Sequence, residues 1–380
     1  MTIYNICPYI YYRNEQLLKD TCLVPYTFHK LYGYRVVLVT AKKEEYSYLE
    51  MLPGLELDIQ PAAVNMEEWT KQCCTYIEKN YQSIDILFCF GSYSIYTEIV
   101  PLYKKLRKDG KVILKLDASP DWVDKIPVNR EDYKSLYENC TVITCESKRI
   151  KRLLSRKWPY QIDYLTNGFL RLDDSCEESR EIDYREKENI ILTVGRIGSY
   201  HKANWVLLEA FAMCADCLKE WKVKLVGSIE PEFESYIKEY FVKFPDLRNR
   251  IIFTGKIADK HLLDKEYRAA RIFALTSVSE GGSPNVFVEA AKRGCYIVCS
   301  DIAASEEMTN GGMCGKVFEI NDVAGLSNIL LEICNTDFEI VLKNNSREIV
   351  KYCERFFNYE VSMKKIMHLL ESNESEVNYE

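Results

Sequence analysis

The sequence has no apolar run near the ~18 residues that a membrane-spanning helix needs, no short-period repeat and no long low-complexity tract. These absences exclude a helical channel or carrier, a solenoid and a fibre. The first residues, MTIYNICPYIYYRNE, lack the basic start, apolar stretch and small-residue cleavage site of a secretory signal, so a cytoplasmic protein is expected. Positive charge is not in excess either. The formal net charge of −7 argues against nucleic acid as a partner. What basic character there is lies early: residues 1–170 hold 23 Lys and Arg against 21 Asp and Glu, and the rest 27 against 36. The 15 cysteines do not make a disulfide framework, because their number is odd, the chain is large and many sit in apolar strand-like runs, as do Cys89, Cys145 and Cys299. Cys214 and Cys217 form a CxxC, but inside a helical pattern and without a second pair at zinc-finger spacing, so no metal site is read there.

With 380 residues, 47% of them hydrophobic and 28% charged, the chain suits two globular domains. Short β-rich runs alternate with helical stretches almost throughout, the pattern of parallel sheets covered by helices on both faces. The strands expected first are Ile3–Tyr11, Arg35–Ala41, Leu55–Gln60, Asp85–Gly91, Lys111–Ala118, Thr141–Glu146 and Gln161–Leu165. The charged segment RLDDSCEESREIDYREK, residues 171–187, then interrupts the alternation and reads as a linker. Six more strands follow: Asn189–Arg196, Lys222–Gly227, Ile251–Gly255, Arg271–Thr276, Cys295–Asp301 and Lys316–Glu319. The expected organisation is a first domain over 1–170, a linker over 171–187 and a second domain over 188–355. A helix over 356–371 is expected to pack back on the first domain, ahead of a frayed acidic tail over 372–380. Two such sheets in succession predict a ligand cleft where strand C-termini and helix N-termini converge.

The most informative stretch is LTSVSEGGSPNVFVEAAKRGCYIVCSD, residues 275–301. It reads as a buried strand, a Gly-rich turn, a helix and a second buried strand. Gly281 and Gly282 permit backbone conformations closed to other residues, Ser283 is suited to cap a helix and Pro284 to begin it. The exposed amides of that helix start, through Asn285 and Val286, make a site for a diphosphate. Glu280 and Glu289 flank it, and a carboxylate beside phosphate belongs with sugar or ribose hydroxyls. A second stretch, NIILTVGRIGSYHKANWVLLEAF, residues 189–211, places Gly195 and Arg196 at a strand end and Lys202 before an amphipathic helix. Arginine holds phosphate oxygens in a planar fork and lysine adds a point charge, so the pair suits a pyrophosphate leaving group.

Together these residues resemble the retaining glycosyltransferases of family 4, whose GT-B fold has two facing Rossmann-like α/β domains with parallel sheets and a cleft between them. The resemblance is carried by Val194-Gly195-Arg196, by Lys202 and Leu207–Phe211, and by a Glu-x7-Glu-type motif in Glu280, Pro284–Val286, Glu289 and Ala290. The run IIFTGKIADKHLLDKEYRAARIFALTS and the segment Asp163–Gly168 (DYLTNG) are similar to further parts of the family. It implies that Arg196 and Lys202 bind the donor diphosphate, that Glu289 binds the ribose, that Gly255, Lys256 and Ile257 lie near the base, and that Glu280 touches the transferred sugar. Family members often carry an acidic or His residue of the first domain near the reacting sugar, and Asp117, in KVILKLDA, is the candidate here, as a base for the acceptor hydroxyl. A structural cap explains Asp117 equally well.

Two departures from the pattern stand out. Eight residues, Gly281–Val288, separate the two carboxylates instead of seven, and Ala203 follows Lys202 where glycine is usual. No DxD stands at a strand end in the C-terminal half, so the expected leaving-group stabilisation uses Arg, Lys and helix amides, with no metal and no cofactor. The basic stretch SKRIKRLLSRKWPY sets Lys148, Arg149, Lys151, Arg152, Arg156 and Lys157 around apolar residues and Trp158, which suits an anionic membrane surface carrying a lipid-linked acceptor. A solvated basic face over a core helix suits it as well. The resulting expectation is transfer of a sugar from a nucleoside-diphosphate sugar to a saccharide or lipid-linked acceptor, in cell-surface polysaccharide or glycolipid synthesis at the inner membrane face. Two alternatives stay open: a sugar-nucleotide epimerase of the same fold, and a nucleotide-sugar-binding protein without turnover.

Overall fold

The computed structural model describes residues 1–43, 45–172 and 182–377. The chain divides into two compact units, Met1–Glu178 with Phe356–Glu380, and Ser179–Arg355. The sheet of the first unit contains β1 (Thr2–Ile6), β2 (Arg35–Ala41), β3 (Leu55–Gln60), β4 (Ile86–Phe90), β5 (Lys111–Lys115), β6 (Val142–Cys145) and β7 (Asp163–Tyr164), in the order β3-β2-β1-β4-β5-β6-β7. All its pairings are parallel. The central strands are continuous buried runs, such as ILFCF in β4, as expected of a sheet covered on both faces. β1 ends five residues before the expected Tyr11. Pro8 has no N–H to give to the ladder, and the chain turns away over the sheet edge.

The second unit repeats the arrangement with β8 (Glu188–Val194), β9 (Lys222–Val226), β10 (Ile251–Gly255), β11 (Ala270–Leu275), β12 (Tyr296–Ser300) and β13 (Gly315–Phe318). Their order is β10-β9-β8-β11-β12-β13, again all parallel. In both sheets the connections run outward from a central strand in one direction and then reverse. The reversals fall between β1 and β4 and between β8 and β11.

Most of the expected linker, residues 173–181, lies outside the described residues. Its last part is packed against the second unit: the buried Lys187 ammonium donates to the carbonyls of Ala270 and Arg268, and the Arg271 guanidinium lies 5.0 Å from the centre of the Tyr184 ring. The C-terminal helix Tyr359–Val377 belongs to the first unit, where the Tyr359 hydroxyl accepts the Gly168 N–H at 2.9 Å and Lys111 donates to the Leu370 carbonyl. The helix runs six residues into the segment expected as a tail, and residues 378–380 lie outside the described part. No helix among the described residues is long and apolar enough to cross a membrane, and every described cysteine is a free thiol.

Trp158 does not stand on the basic surface: it is 5% exposed and packs with Trp122, Tyr137 and Tyr160, with ring centres 4.6 Å apart for Tyr137. The helix Lys148–Lys157 turns Ile150 and Leu154 inward, and the tryptophan that ends it follows them into the core because its indole has more apolar area to bury than the helix face alone can cover. Lys157 pairs with Asp124, while Lys148 lies over the Phe356 ring at 5.5 Å; Arg152 and Arg156 are exposed, and Arg149 and Lys151 half-buried.

The first unit is pinned by a buried ionic cluster. The ammonium of Lys115, at the end of β5, is fully buried and donates to Asp20 at 3.0 Å, Glu146 at 3.2 Å and Asn167 at 2.7 Å. Burial pushes the Glu146 carboxyl up to about 8 from its usual 4.5, with the Asp117 charge adding, although the Lys115 ammonium pulls the other way. Lys115 itself is held protonated against the penalty of burial by Glu146 and Asp20. A carboxyl whose folded value lies above its ordinary one binds its proton more tightly in the folded state. Its contribution is complete below about pH 4.5 and is lost as the pH rises through about 8. Urea unfolding of the first unit is therefore expected to become easier between about pH 5 and about pH 9, and Glu146→Gln to remove that part of the slope. An identical slope in the variant would refute the assignment.

Candidate functional site

The site expected from the sequence gathers at the reversal between β8 and β11, where connections leave in opposite directions and open a crevice at the strand C-termini. β8 ends at Val194 and delivers Gly195. The Gly195 N–H bonds the Val226 carbonyl and the Gly227 N–H bonds the Gly255 carbonyl, so the ends of β8, β9 and β10 form one backbone shelf. A Cβ on Gly227, whose φ is +151°, would lie 1.6 Å from the Gly195 oxygen; only glycine permits this approach.

Beyond Gly195 the loop returns through Lys202 to Ala203, which caps the helix Asn204–Cys214 in the left-handed region, at φ 42° and ψ 43°. Glycine enters that region at no steric cost and alanine does not, which explains physically why glycine is usual at this position. The Asn204 side chain accepts the Gly198 N–H at 2.8 Å and sets the loop's curvature.

This loop is sewn to the one after β11. Thr276 donates its hydroxyl to the Lys202 carbonyl at 2.8 Å, and the Val278 N–H bonds the His201 carbonyl at 2.9 Å. Across this seam the Lys202 ammonium meets Glu280 Oε1 at 2.5 Å, and Ser277 donates to the same oxygen at 2.5 Å. The side chains of Lys202 and Glu280 are only 20% and 15% exposed, so their pairing is partly screened from water. Arg196, by contrast, is exposed, and its guanidinium has no ion-pair partner among the described residues.

After Glu280 the backbone turns at Gly282, with φ +67°; of the two glycines only this one occupies a conformation that favours glycine. The helix runs from Asn285 to Lys292 with Pro284 at its cap, one residue later than expected, and no side chain caps it. Ser283 is buried rather than capping, because Pro284 at ψ 127° is still extended and carries the turn past it. The first amides of Asn285 and Val286 are thus left without a side-chain cap. On the next turn of this helix Glu289 accepts the Tyr267 hydroxyl at 2.8 Å, with the Lys260 ammonium 3.9 Å away. Burial, with the Glu289 charge adding, pushes the Tyr267 phenol well up, so it remains a donor that fixes the carboxylate. Gly255 ends β10 at φ +74°, with open space where a Cβ would point; Lys256 is exposed and Ile257 half-buried.

The structure thus brings Gly195, Lys202 and Glu280 together, with Glu289 on the adjoining helix. Ser277, Tyr267 and Lys260 were not legible beforehand. Ser277, three residues before Glu280, is the sole member with a sequence signal, since that spacing lets a turn fold the hydroxyl onto the carboxylate. Asp117 belongs to the first unit, half-buried two residues beyond β5.

Residues 188–336 match the family model described as glycosyl transferases group 1. No curated protein matches the chain by sequence. Among solved structures, sucrose-phosphate synthase from Thermosynechococcus elongatus is similar at 18% identity, TM-score 0.69, covering 98% of this chain and all of that one. HepE from Anabaena in complex with UDP is similar at 15% identity, TM-score 0.71, with 98% and 100% covered. A glycosyltransferase from Rickettsia africae is similar at 15% identity, TM-score 0.73, with 98% of each chain covered. The chain has the GT-B fold, and its second unit is similar to the glycosyl transferases of group 1.

Proposed function

We propose that the protein is a glycosyltransferase whose second unit binds a nucleoside-diphosphate sugar at the carboxyl ends of β8 and β11. The single observation that carries the reading is the Lys202–Glu280 pair held beside an uncapped helix start at the reversal of strand order. A diphosphate entering there meets the Asn285 and Val286 amides, takes up the Lys202 charge and gains the unpaired Arg196 fork. Glu280 is then released from Lys202 towards the sugar hydroxyls, and Glu289, fixed by Tyr267, accepts hydrogen bonds from the ribose. That HepE was crystallised with UDP, and in another structure with UDP-glucose, supports a nucleotide-sugar donor.

In the reaction, the bond between the anomeric carbon and the diphosphate oxygen breaks while an acceptor oxygen bonds the same carbon. The electron pair of the broken bond leaves with the diphosphate, whose growing charge Lys202, Arg196 and the helix amides offset without a metal. The acceptor hydroxyl proton goes to the departing diphosphate. Retention of configuration follows from the resemblance to family 4, and the acceptor is a saccharide or a lipid-linked saccharide of a cell-surface polymer or glycolipid.

Arg196→Ala and Lys202→Ala are each expected to weaken nucleoside-diphosphate binding by ~1.5–3 kcal/mol, the scale of hydrogen bonds to charged groups. Calorimetric titration measures this, and unchanged affinity in both variants would remove the donor site. Glu280→Gln frees Lys202 from its carboxylate and is expected to leave diphosphate affinity equal or higher while transfer turnover falls; weaker diphosphate binding would place Glu280 on the wrong ligand. The basic helix Lys148–Lys157, without its tryptophan at the surface, is expected to bring the protein down with vesicles rich in anionic lipid and not with neutral ones. Sedimentation indifferent to lipid charge would discard the membrane contact.

A further inference from the structure

We infer that Tyr267 is a positioning residue for donor recognition: its buried hydroxyl holds the Glu289 carboxylate in the orientation that selects a ribonucleoside diphosphate over its 2′-deoxy form. The inference rests on the glycosyltransferase reading, in which Glu289 meets the ribose, and adds the group that makes this contact selective.

Two helices meet at this point. Lys260, Asp264 and Tyr267 follow one another at intervals of four and three residues on the helix Lys260–Ala269, so they share one face. Glu289, on the helix Asn285–Lys292, and Arg293, at its C-cap, are likewise one turn apart. Polar contacts join the two faces. Asp264 accepts from the Arg293 guanidinium at 2.5 Å and from Arg268 at 2.6 Å, and the Arg293 side chain is only 6% exposed. One turn further along, the buried Tyr267 donates its hydroxyl to Glu289 Oε2 at 2.8 Å, while the Lys260 ammonium stands 3.9 Å from Oε1, beyond hydrogen-bond reach. Tyr267 is itself fixed in place: its ring centre lies 6.0 Å from that of Phe273 in β11, and its carbonyl accepts the Cys295 thiol at 3.1 Å.

A glutamate on a helix surface samples several rotamers, and holding it still for a ligand costs that freedom. Tyr267 holds it before the ligand arrives, which removes the cost from binding. The Glu289 side chain is 36% exposed, so the carboxylate stays within a ligand's reach while Oε2 is tied to the interior and Oε1 remains to accept a ribose hydroxyl. An ionised carboxylate only accepts, so its partner must carry a hydroxyl, and a 2′-deoxyribose lacks the one at C2′. A site built to bond a hydroxyl rejects the analogue without it, provided the acceptor cannot turn elsewhere. That condition is what Tyr267 supplies. Without its hydroxyl, the Lys260 charge draws the carboxylate out of this pose. Burial and the Glu289 charge both push the phenol well up, so raising the pH through the neutral range does not break the anchor.

The test is calorimetric titration of the full chain with UDP, GDP, ADP, CDP and dTDP, and with the 2′-deoxy counterpart of the ribonucleotide that binds most tightly. Thermal unfolding reports on the folding of each variant. The wild type is expected to prefer the ribo form about tenfold or more, the scale of one hydrogen bond to a charged group. Tyr267→Phe, which keeps the ring, should cut that preference to about threefold or less by weakening the ribo form alone. Asp264→Asn leaves Tyr267 and Glu289 in place but loosens the two helices, and should fall between. A merely structural role would weaken both forms alike and leave their ratio unchanged. An unchanged ratio in Tyr267→Phe, or in Asp264→Asn should Tyr267→Phe not fold, overturns the inference; so does a wild type that binds a deoxy form as tightly as the ribo form. In each of these cases a diphosphate still binds and the donor site stands. A wild type that binds none of the diphosphates would instead overturn the glycosyltransferase reading.

Discussion

A parallel sheet constrains everything built on it. Every connection must leave the carboxyl end of one strand and return to the amino end of the next, and the crossovers have a fixed hand. When strand order reverses, two neighbouring strands send their connections to opposite faces, and no chain covers the edge between them. In this protein the constraint acts once in each unit, between β1 and β4 and between β8 and β11. The residues with unspent chemistry collect at the second of those edges: Arg196, Lys202 and Glu280.

At the β8–β11 edge the local electrostatics are arranged so that a ligand exchanges partners rather than filling a vacancy. Lys202 is neutralised by Glu280, whose oxygen also accepts from Ser277, and the seam of Thr276 and Val278 bonds holds the two loops in place. An anion that takes over Lys202 necessarily releases a carboxylate within reach of whatever the anion carries. In the proposed reading, the charge that would bind the leaving group and the acid group that would meet the sugar are coupled through one short contact.

Much of this was legible in the chain. β2, β3 and β10 have the bounds that their apolar runs suggest, and the remaining strands differ at their ends, where hydrogen bonding to neighbours rather than side-chain pattern sets the limit. β1 is shortened by Pro8, a local signal that the apolar character of residues 3–11 concealed. Ser283 and Pro284 have the chemistry of a cap and a first turn, yet the helix starts at Asn285, because the extended proline carries the turn past a serine buried under it. Trp158 misled in the same way: its position beside six basic residues suggests an interface anchor, but Tyr137 and Trp122, contributed by other segments, offer it a larger apolar contact.

The sequence by itself determined the two α/β units, the cationic Arg196–Lys202 loop and the carboxylates around Gly282. Periodicity, turn chemistry and charge are local properties, readable within a window of a few residues. Only the tertiary structure decided partnerships across long separations: Lys202 with Glu280, Glu289 with Tyr267, Lys115 with Asp20, Glu146 and Asn167, and Tyr9 with Tyr93. Such pairs depend on which strand ends lie side by side, and strand order is set by the packing of the whole sheet rather than by any one segment.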